Sequence, residues 1–245
     1  MTVAASQART GILYLVAVPI GHFDDITLRA CQILRDADLI ASENPAATRL
    51  LLSHHGIDAT LTSYGPANIR EKAALLIDRL QRGAHIALVS DCGSPVVADP
   101  GSLLVASAHA HGIRVVSVPG PSALTASVVA AGLASDTFVF LGQLPETQLE
   151  MNRRLSNHLA GKVSAVAFCT ANSLVLALNR VADIAPRRRI MLACDLTKPS
   201  ERIVQGTALQ IRQALDKVQG AQDITFILTG GAARETNTLR TKGTQ

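Results

Sequence analysis

Three turns in this chain of 245 residues carry the residue types that ligand-holding loops use. The first is Val18-Pro19-Ile20-Gly21-His22. The second is Ser90-Asp91-Cys92-Gly93-Ser94-Pro95, followed by Asp99-Pro100-Gly101. The third is Pro119-Gly120-Pro121-Ser122-Ala123. Each follows a short β-branched or aliphatic run, so each falls at the carboxyl end of an expected strand, where open α/β sheets bind ligands. Small residues there let a ligand approach the backbone, and exposed N–H groups can meet its polar parts. For any one of them, ordinary turn chemistry is the alternative. None has the GxGxxG or GxxxxGK[ST] spacing, which leaves a Rossmann dinucleotide site and a P-loop without support.

Titratable side chains stand beside these turns. Glu43, at a strand end, could act as a general base, or it could cap the following helix, whose Pro45 suits a first-turn position. His22 could contact a substrate or take a proton; a solvated loop histidine is the alternative. Asp91 could contact a ligand hydroxyl, hold an Asx turn, or do both. His54-His55 precede Gly56 at a helix end, where the dipole favours them. Arg187-Arg188-Arg189 could meet phosphate or sit in a solvated loop. Cys31, Cys92, Cys169 and Cys194 show no CxxC spacing, so neither a zinc pattern nor a compact disulfide framework is expected, and no metal is assigned. Buried, reduced thiols in a cytoplasmic protein are the expectation.

These residues must be positioned by a core, and the composition supplies one. The chain is 48% hydrophobic, with no Trp, two Tyr and five Phe. With 23 Lys+Arg against 19 Asp+Glu its formal net charge is +4. That charge is too small to announce nucleic-acid binding, and the scarcity of aromatics argues against a base-stacking platform. The longest apolar run, Ile12 to Ile20, falls short of the roughly 20 residues of a membrane span and reads as a buried strand. Strands are expected at 12–18, 37–42, 85–89 and 114–118. Helices are expected at 25–34, 67–82, 103–110 and 123–131. Such alternation favours a parallel sheet covered by helices. Further strands are expected at 137–141, 163–168, 189–194, 202–205 and 223–228. The short link between 189–194 and 202–205 makes that pair antiparallel. The sequence thus reads as an α/β protein of two roughly five-stranded halves, 1–120 with a parallel sheet and 121–231 with a mixed one, and a polar tail over 232–245.

The order of these motifs resembles the ribosomal RNA small subunit methyltransferase I family, of the tetrapyrrole methylase superfamily. The likeness runs through Val18–Gly21, Asp25–Ala30, Ala37–Ala41 leading to Glu43, Ala87–Pro95, Asp99–Gly101, Gly112–Val116, Pro119–Ala123, Ala193–Lys198 and Ile224–Gly230, spanning about residues 11 to 231. The resemblance implies two α/β domains, S-adenosylmethionine in a cleft between them, a homodimer, and methylation of a cytidine ribose 2′-hydroxyl in small-subunit ribosomal RNA. By position it implies cofactor contacts at Pro19, Ser90, Asp91, Gly93, Ser94, Pro95, Ser122, Ala123 and Leu196. Glu43 and His22 are the candidate catalytic residues. The chain departs from the family pattern on the acceptor side. Glu43-Asn44-Pro45-Ala46 stands where the family has Glu-Asp-Thr-Arg, and Cys169-Thr170-Ala171-Asn172-Ser173-Leu174 where it has Tyr-Glu-Ser-x-His-Arg. Two other functions therefore stay open: methylation of a small molecule such as a tetrapyrrole, and cofactor binding without catalysis in a regulator or scaffold.

Overall fold

A computed structural model describes residues 10–133, 137–218 and 220–230. The chain divides into two compact units: the residues up to Ala126 together with Leu196–Pro199, and Ser127–Asp195 together with the chain from Ser200. The tail expected over 232–245 lies outside the described residues.

The first unit alternates strand and helix: β1 (Ile12–Val16), α1 (Leu28–Asp36), β2 (Leu39–Ser42), α2 (Pro45–His54), β3 (Leu61–Ser63), α3 (Ile69–Gln81), β4 (Ile86–Val89), α4 (Ser102–Ala110), β5 (Arg114–Val118), with α5 (Ala123–Ala131) following. Its strands form one five-stranded sheet in the order β3-β2-β4-β1-β5, every pair parallel. A strand turns successive side chains to opposite faces, and β4 shows the consequence. Ile86 and Leu88 pack with Leu76, Ile77 and Leu80 of α3 and Leu104 of α4. Ala87 and Val89 pack with Ala30 and Leu34 of α1 and Leu51 and Leu52 of α2. Helices therefore cover both faces, which is why the strands read as continuous apolar runs. The stripe Ala73, Leu76, Ile77 and Leu80, legible at helical spacing, is the buried face of α3.

Caps set where these helices begin. Thr27 accepts a hydrogen bond from the Ala30 N–H, so α1 starts at Leu28 and the expected helix from Asp25 is replaced by a short 3-10 turn over Phe23–Asp25. Asn44 accepts from the Ala47 N–H with Pro45 at the first helical position. Asn44, not Glu43, is the cap of α2, which removes that reading of Glu43. The strand expected over 12–18 ends at Val16, and β3, three residues long, is too short for a pattern to reveal.

The second unit runs β6 (Phe138–Gln143), α6 (Gln148–Leu159), β7 (Ser164–Cys169), α7 (Ala171–Ile184), β8 (Arg189–Cys194), β9 (Arg202–Thr207), α8 (Ala208–Gln213) and β10 (Ile224–Leu228). Its five strands are ordered β6-β7-β10-β8-β9. β6 and β7 are parallel and the other neighbours antiparallel, including β8 with β9 as the short connection requires. Fully buried Phe226, Leu192 and Ile190 pack with Met151 and Leu155 of α6 and Leu174 and Leu178 of α7. Of the run Arg187-Arg188-Arg189, the first and last are exposed and Arg188 is half-buried. Its guanidinium is drawn inward and donates to the carbonyls of Leu159 and Gly161 at 3.0 and 2.8 Å and of Thr229 at 2.7 Å, satisfying the open end of α6. Cys169 and Cys194 are buried, whereas Cys92 is exposed, against the expectation of a buried thiol; no cysteine pairs with another. Among the described residues no helix is long and apolar enough to cross a membrane.

Phe226 fills the centre of the second core, so Phe226→Ala should cost about 3–5 kcal/mol. A matching fall in the denaturant midpoint of the second unit's unfolding checks this.

Candidate active site

The chemistry-bearing turns meet at the carboxyl edge of the parallel sheet. After β1 the chain forms Ala17–His22, after β4 Ser90–Pro95 and after β5 Pro119–Ser122. Val18 and Gly93 make an antiparallel bridge, with the Val18 N–H donating to the Gly93 carbonyl at 2.9 Å and the Gly93 N–H returning to Val18 at 3.1 Å. Gly93 sits at φ +75°, and a Cβ there would lie 3.5 Å from Ile20 Cγ2 and 3.9 Å from the Pro121 carbonyl oxygen. All three turns therefore border one glycine. The third turn is tied to the first by the Ala17 N–H, which donates to Val118 at 3.2 Å, and by Gly120, whose missing Cβ would lie 3.0 Å from that of Ala17. The helices after β1 and β2 go to one face of the sheet and those after β3 and β4 to the other. Loops diverging in this way open a crevice at strand ends.

A fourth segment joins them from far along the chain. Leu196–Pro199, which follows β8, belongs to the first unit. A Cβ on Gly21 would lie within 2.8 Å of the Leu196 carbonyl oxygen, Thr197 Oγ1 and Lys198 Cγ. The His22 N–H donates to Thr197 Oγ1 at 3.0 Å. Among the described residues, the non-glycine positions at positive φ are Val96, Ala98, Asp195 and Thr197. They fall in two places, the loop after β4 and this segment. Such conformations cost of order 1–3 kcal/mol each and persist where surrounding structure enforces them, typically at functional sites.

The expected site residues have distinct positions. Pro19, Gly93, Pro95 and Leu196 are buried, Ser94, Ser122 and Ala123 half-buried, and Asp91 and His22 exposed. Ser90 is buried, and its hydroxyl donates to the Cys92 and Gly93 carbonyls, both at 3.2 Å, so it shapes the turn. His22 accepts the Asp24 N–H at Nδ1.

Glu43 lies near Asp99, of the Asp99-Pro100-Gly101 motif, and Asp99 in turn lies near Tyr64, which no motif singled out. Burial, then the nearby Asp99 and Asp91, push the Glu43 carboxyl up from the usual carboxylate range. Asp99 is also raised, first by burial and then by Asp91, against the N–H groups of Gly101 and Val96, which favour its anion. The Gly101 N–H donates to Asp99 at 3.2 Å. Tyr64 is 1% exposed, and its hydroxyl completes no hydrogen bond, although the Leu104 N–H faces it. Its phenol is raised by burial first and then by Asp99. Asp99 and Asp91 thus act on Glu43, and Asp99 on the buried phenol, through like charge. Asp99 was legible as part of Asp99-Pro100-Gly101; nothing in the pattern of the chain pointed to Tyr64 as its neighbour.

Residues 12–212 match the family described as tetrapyrrole (corrin/porphyrin) methylases. The ribosomal RNA small subunit methyltransferase I of Pasteurella multocida is 39% identical over 236 residues, covering 94% of this chain and 83% of that protein. The protein of the same name from Xylella fastidiosa is 40% identical over 229 residues, covering 92% and 84%. Among solved structures, diphthine synthase aligns with TM-score 0.71 at 15% identity, covering 89% of this chain and 90% of that one. The methyltransferase CobJ aligns with TM-score 0.70 at 20% identity over 92% and 96%. Uroporphyrin-III C-methyltransferase from Thermus thermophilus, complexed with S-adenosylhomocysteine, aligns with TM-score 0.64 at 20% identity over 89% and 97%. At such identities these structures establish the fold.

Because the raised pKa of Glu43 means its ionised form is disfavoured in the folded chain, its charge destabilises the fold above that pKa and the penalty vanishes on protonation. Glu43→Gln should therefore raise the thermal midpoint at neutral pH. The gain should disappear below about pH 4, where the carboxyl is neutral in both states. Thermal unfolding of both proteins across that range measures it.

Proposed function

We propose, starting from the fact that this chain belongs to the ribosomal RNA small subunit methyltransferase I family within the tetrapyrrole methylases, that it transfers a methyl group from S-adenosylmethionine to a cytidine ribose 2′-hydroxyl in small-subunit ribosomal RNA. The observation that carries the reading is the meeting of the Pro19, Gly93, Ser122 and Leu196 segments at one sheet edge. The residues present fit the cofactor. Gly93 leaves open the space a Cβ would fill, and small residues in the Pro19–Gly21, Gly93–Pro95 and Ser122–Ala123 turns let a nucleoside lie against backbone. The neighbouring carboxylates Glu43, Asp91 and Asp99 favour a cation over a neutral or anionic ligand. A sulfonium is such a cation, and when bound S-adenosylmethionine supplies an already electrophilic methyl group.

The protein's own part is alignment, exclusion of water and handling of one proton. A ribose hydroxyl is a weak acid, so a carboxylate raised toward neutrality is a better base for it than an ordinary one. In this reading Glu43 accepts that proton, while Asp91 and Asp99 keep its basicity up. His22, on the exposed turn next to Gly21, contacts the acceptor. RNA is held through phosphates and subunit shape, consistent with the chain's few aromatics. The chain works in the cytoplasm, where cysteines stay reduced, as a homodimer; exposed Leu28 and Val129, 90% and 75% accessible, are apolar surface that association would cover.

Calorimetry with S-adenosylmethionine, followed by methyl transfer to unmethylated 30S subunits, tests this. Binding should be lost in Gly93→Trp, whose correct folding is checked by circular dichroism, and retained in Glu43→Gln. With wild-type protein, absence of binding refutes the whole reading. Binding without transfer to 30S subunits refutes the substrate and favours a non-catalytic or small-molecule role. Glu43→Gln should lower kcat by about 10²–10⁴ and remove the rise of kcat with pH that deprotonation of Glu43 produces.

A further inference from the structure

Beside His22, the end of α2 and the 3-10 turn after β1 bring together side chains to which the proposed reaction assigns no role. Asp24 lies on the turn; His54 ends α2 and His55 follows it. One donor atom from each lies within 4.8 Å of the other two. His54 Nε2 is 2.9 Å from Asp24 Oδ1, and the hydrogen bond from His54 holds the Asp24 carboxyl below its usual range. His55 Nε2 is 3.0 Å from the Phe23 carbonyl oxygen. His54 also packs edge-on between Phe23 and His55, with ring centroids 5.3 and 4.8 Å away, so both imidazoles are held rather than free.

We propose that Asp24, His54 and His55 form a binding site for a divalent transition metal of the zinc class. Two imidazoles and a carboxylate are the donor set that zinc accepts at about 2.0–2.2 Å, with donors in a tetrahedral site roughly 3.3 Å apart. The three donor atoms, within 4.8 Å of one another, would close to that spacing on binding. The Phe23 carbonyl takes the Nε2–H of His55, the outer contact that orients metal-bound histidines and leaves Nδ1 basic. The ion would displace the hydrogen bond between His54 Nε2 and Asp24, taking the imidazole as a neutral donor and the carboxylate as an anion. His22 is not a ligand through Nδ1, which accepts the Asp24 N–H at 3.3 Å, so water completes the coordination. Neighbouring histidines and one aspartate thirty residues earlier follow no recognised ligand spacing, so the cluster was not legible along the chain.

Zinc chloride titrated by calorimetry into the untagged, chelator-treated full chain tests the site. One ion per chain should bind. His54→Gln and Asp24→Asn should each weaken binding at least about ten-fold; both side chains are exposed, so folding is not at stake, and thermal melts check it. Cys92→Ser, which removes the exposed thiol, should bind as wild type does. Absence of saturable uptake by wild type overturns the proposal and leaves Asp24–His54 as an ion pair. Uptake that survives His54→Gln, or that disappears in Cys92→Ser, overturns it equally.

Discussion

The candidate site rests on two hydrogen bonds between Val18 and Gly93. They extend the pairing of β1 with β4 by one antiparallel step beyond the point where parallel pairing stops. That step folds the Ser90–Pro95 turn back over the strand end and sets Ile20 beside Gly93. It demands positive φ at residue 93, which glycine adopts at little cost, and it orients the Ser90 hydroxyl onto the turn's own carbonyls. The remaining loop after β4 then runs through Val96 and Ala98 in the same left-handed region, where neither residue is comfortable. A β-branched residue held there is strain stored beside the site, offset by the packed sheet beneath it.

Electrostatics supply a second constraint on the same edge. The nearby Asp99 and Asp91 act on Glu43 through like charge. Burial and mutual repulsion raise both Glu43 and Asp99, and the Tyr64 hydroxyl is left without a completed hydrogen bond.

The far segment Leu196–Pro199 shows how much the site owes to chain topology. It sits between two antiparallel strands of the second sheet yet packs on Gly21 of the first unit. Gly21 is required there because any side chain would collide with the Leu196 carbonyl and the Thr197 side chain. The left-handed conformation of Thr197 turns its hydroxyl toward the His22 N–H.

Periodicity and punctuation determined most of the architecture on their own. Aliphatic runs a few residues long, helical stripes such as Ala73–Leu80 and the short link between β8 and β9 each answer to local rules of backbone and burial, so both sheets were legible. The ordered turns carried the family resemblance for the same reason, since close backbone approach leaves glycine, proline and serine in the sequence. Helix starts were less legible, because Thr27 and Asn44 act by single hydrogen bonds that compete with equally plausible neighbours such as Glu43. Tertiary structure alone decided which groups share an environment. Tyr64 with Glu43 and Asp99, Arg188 with three carbonyls, and Asp24 with His54 are brought together through space, where desolvation and Coulomb energy act, and no spacing along the chain encodes those distances.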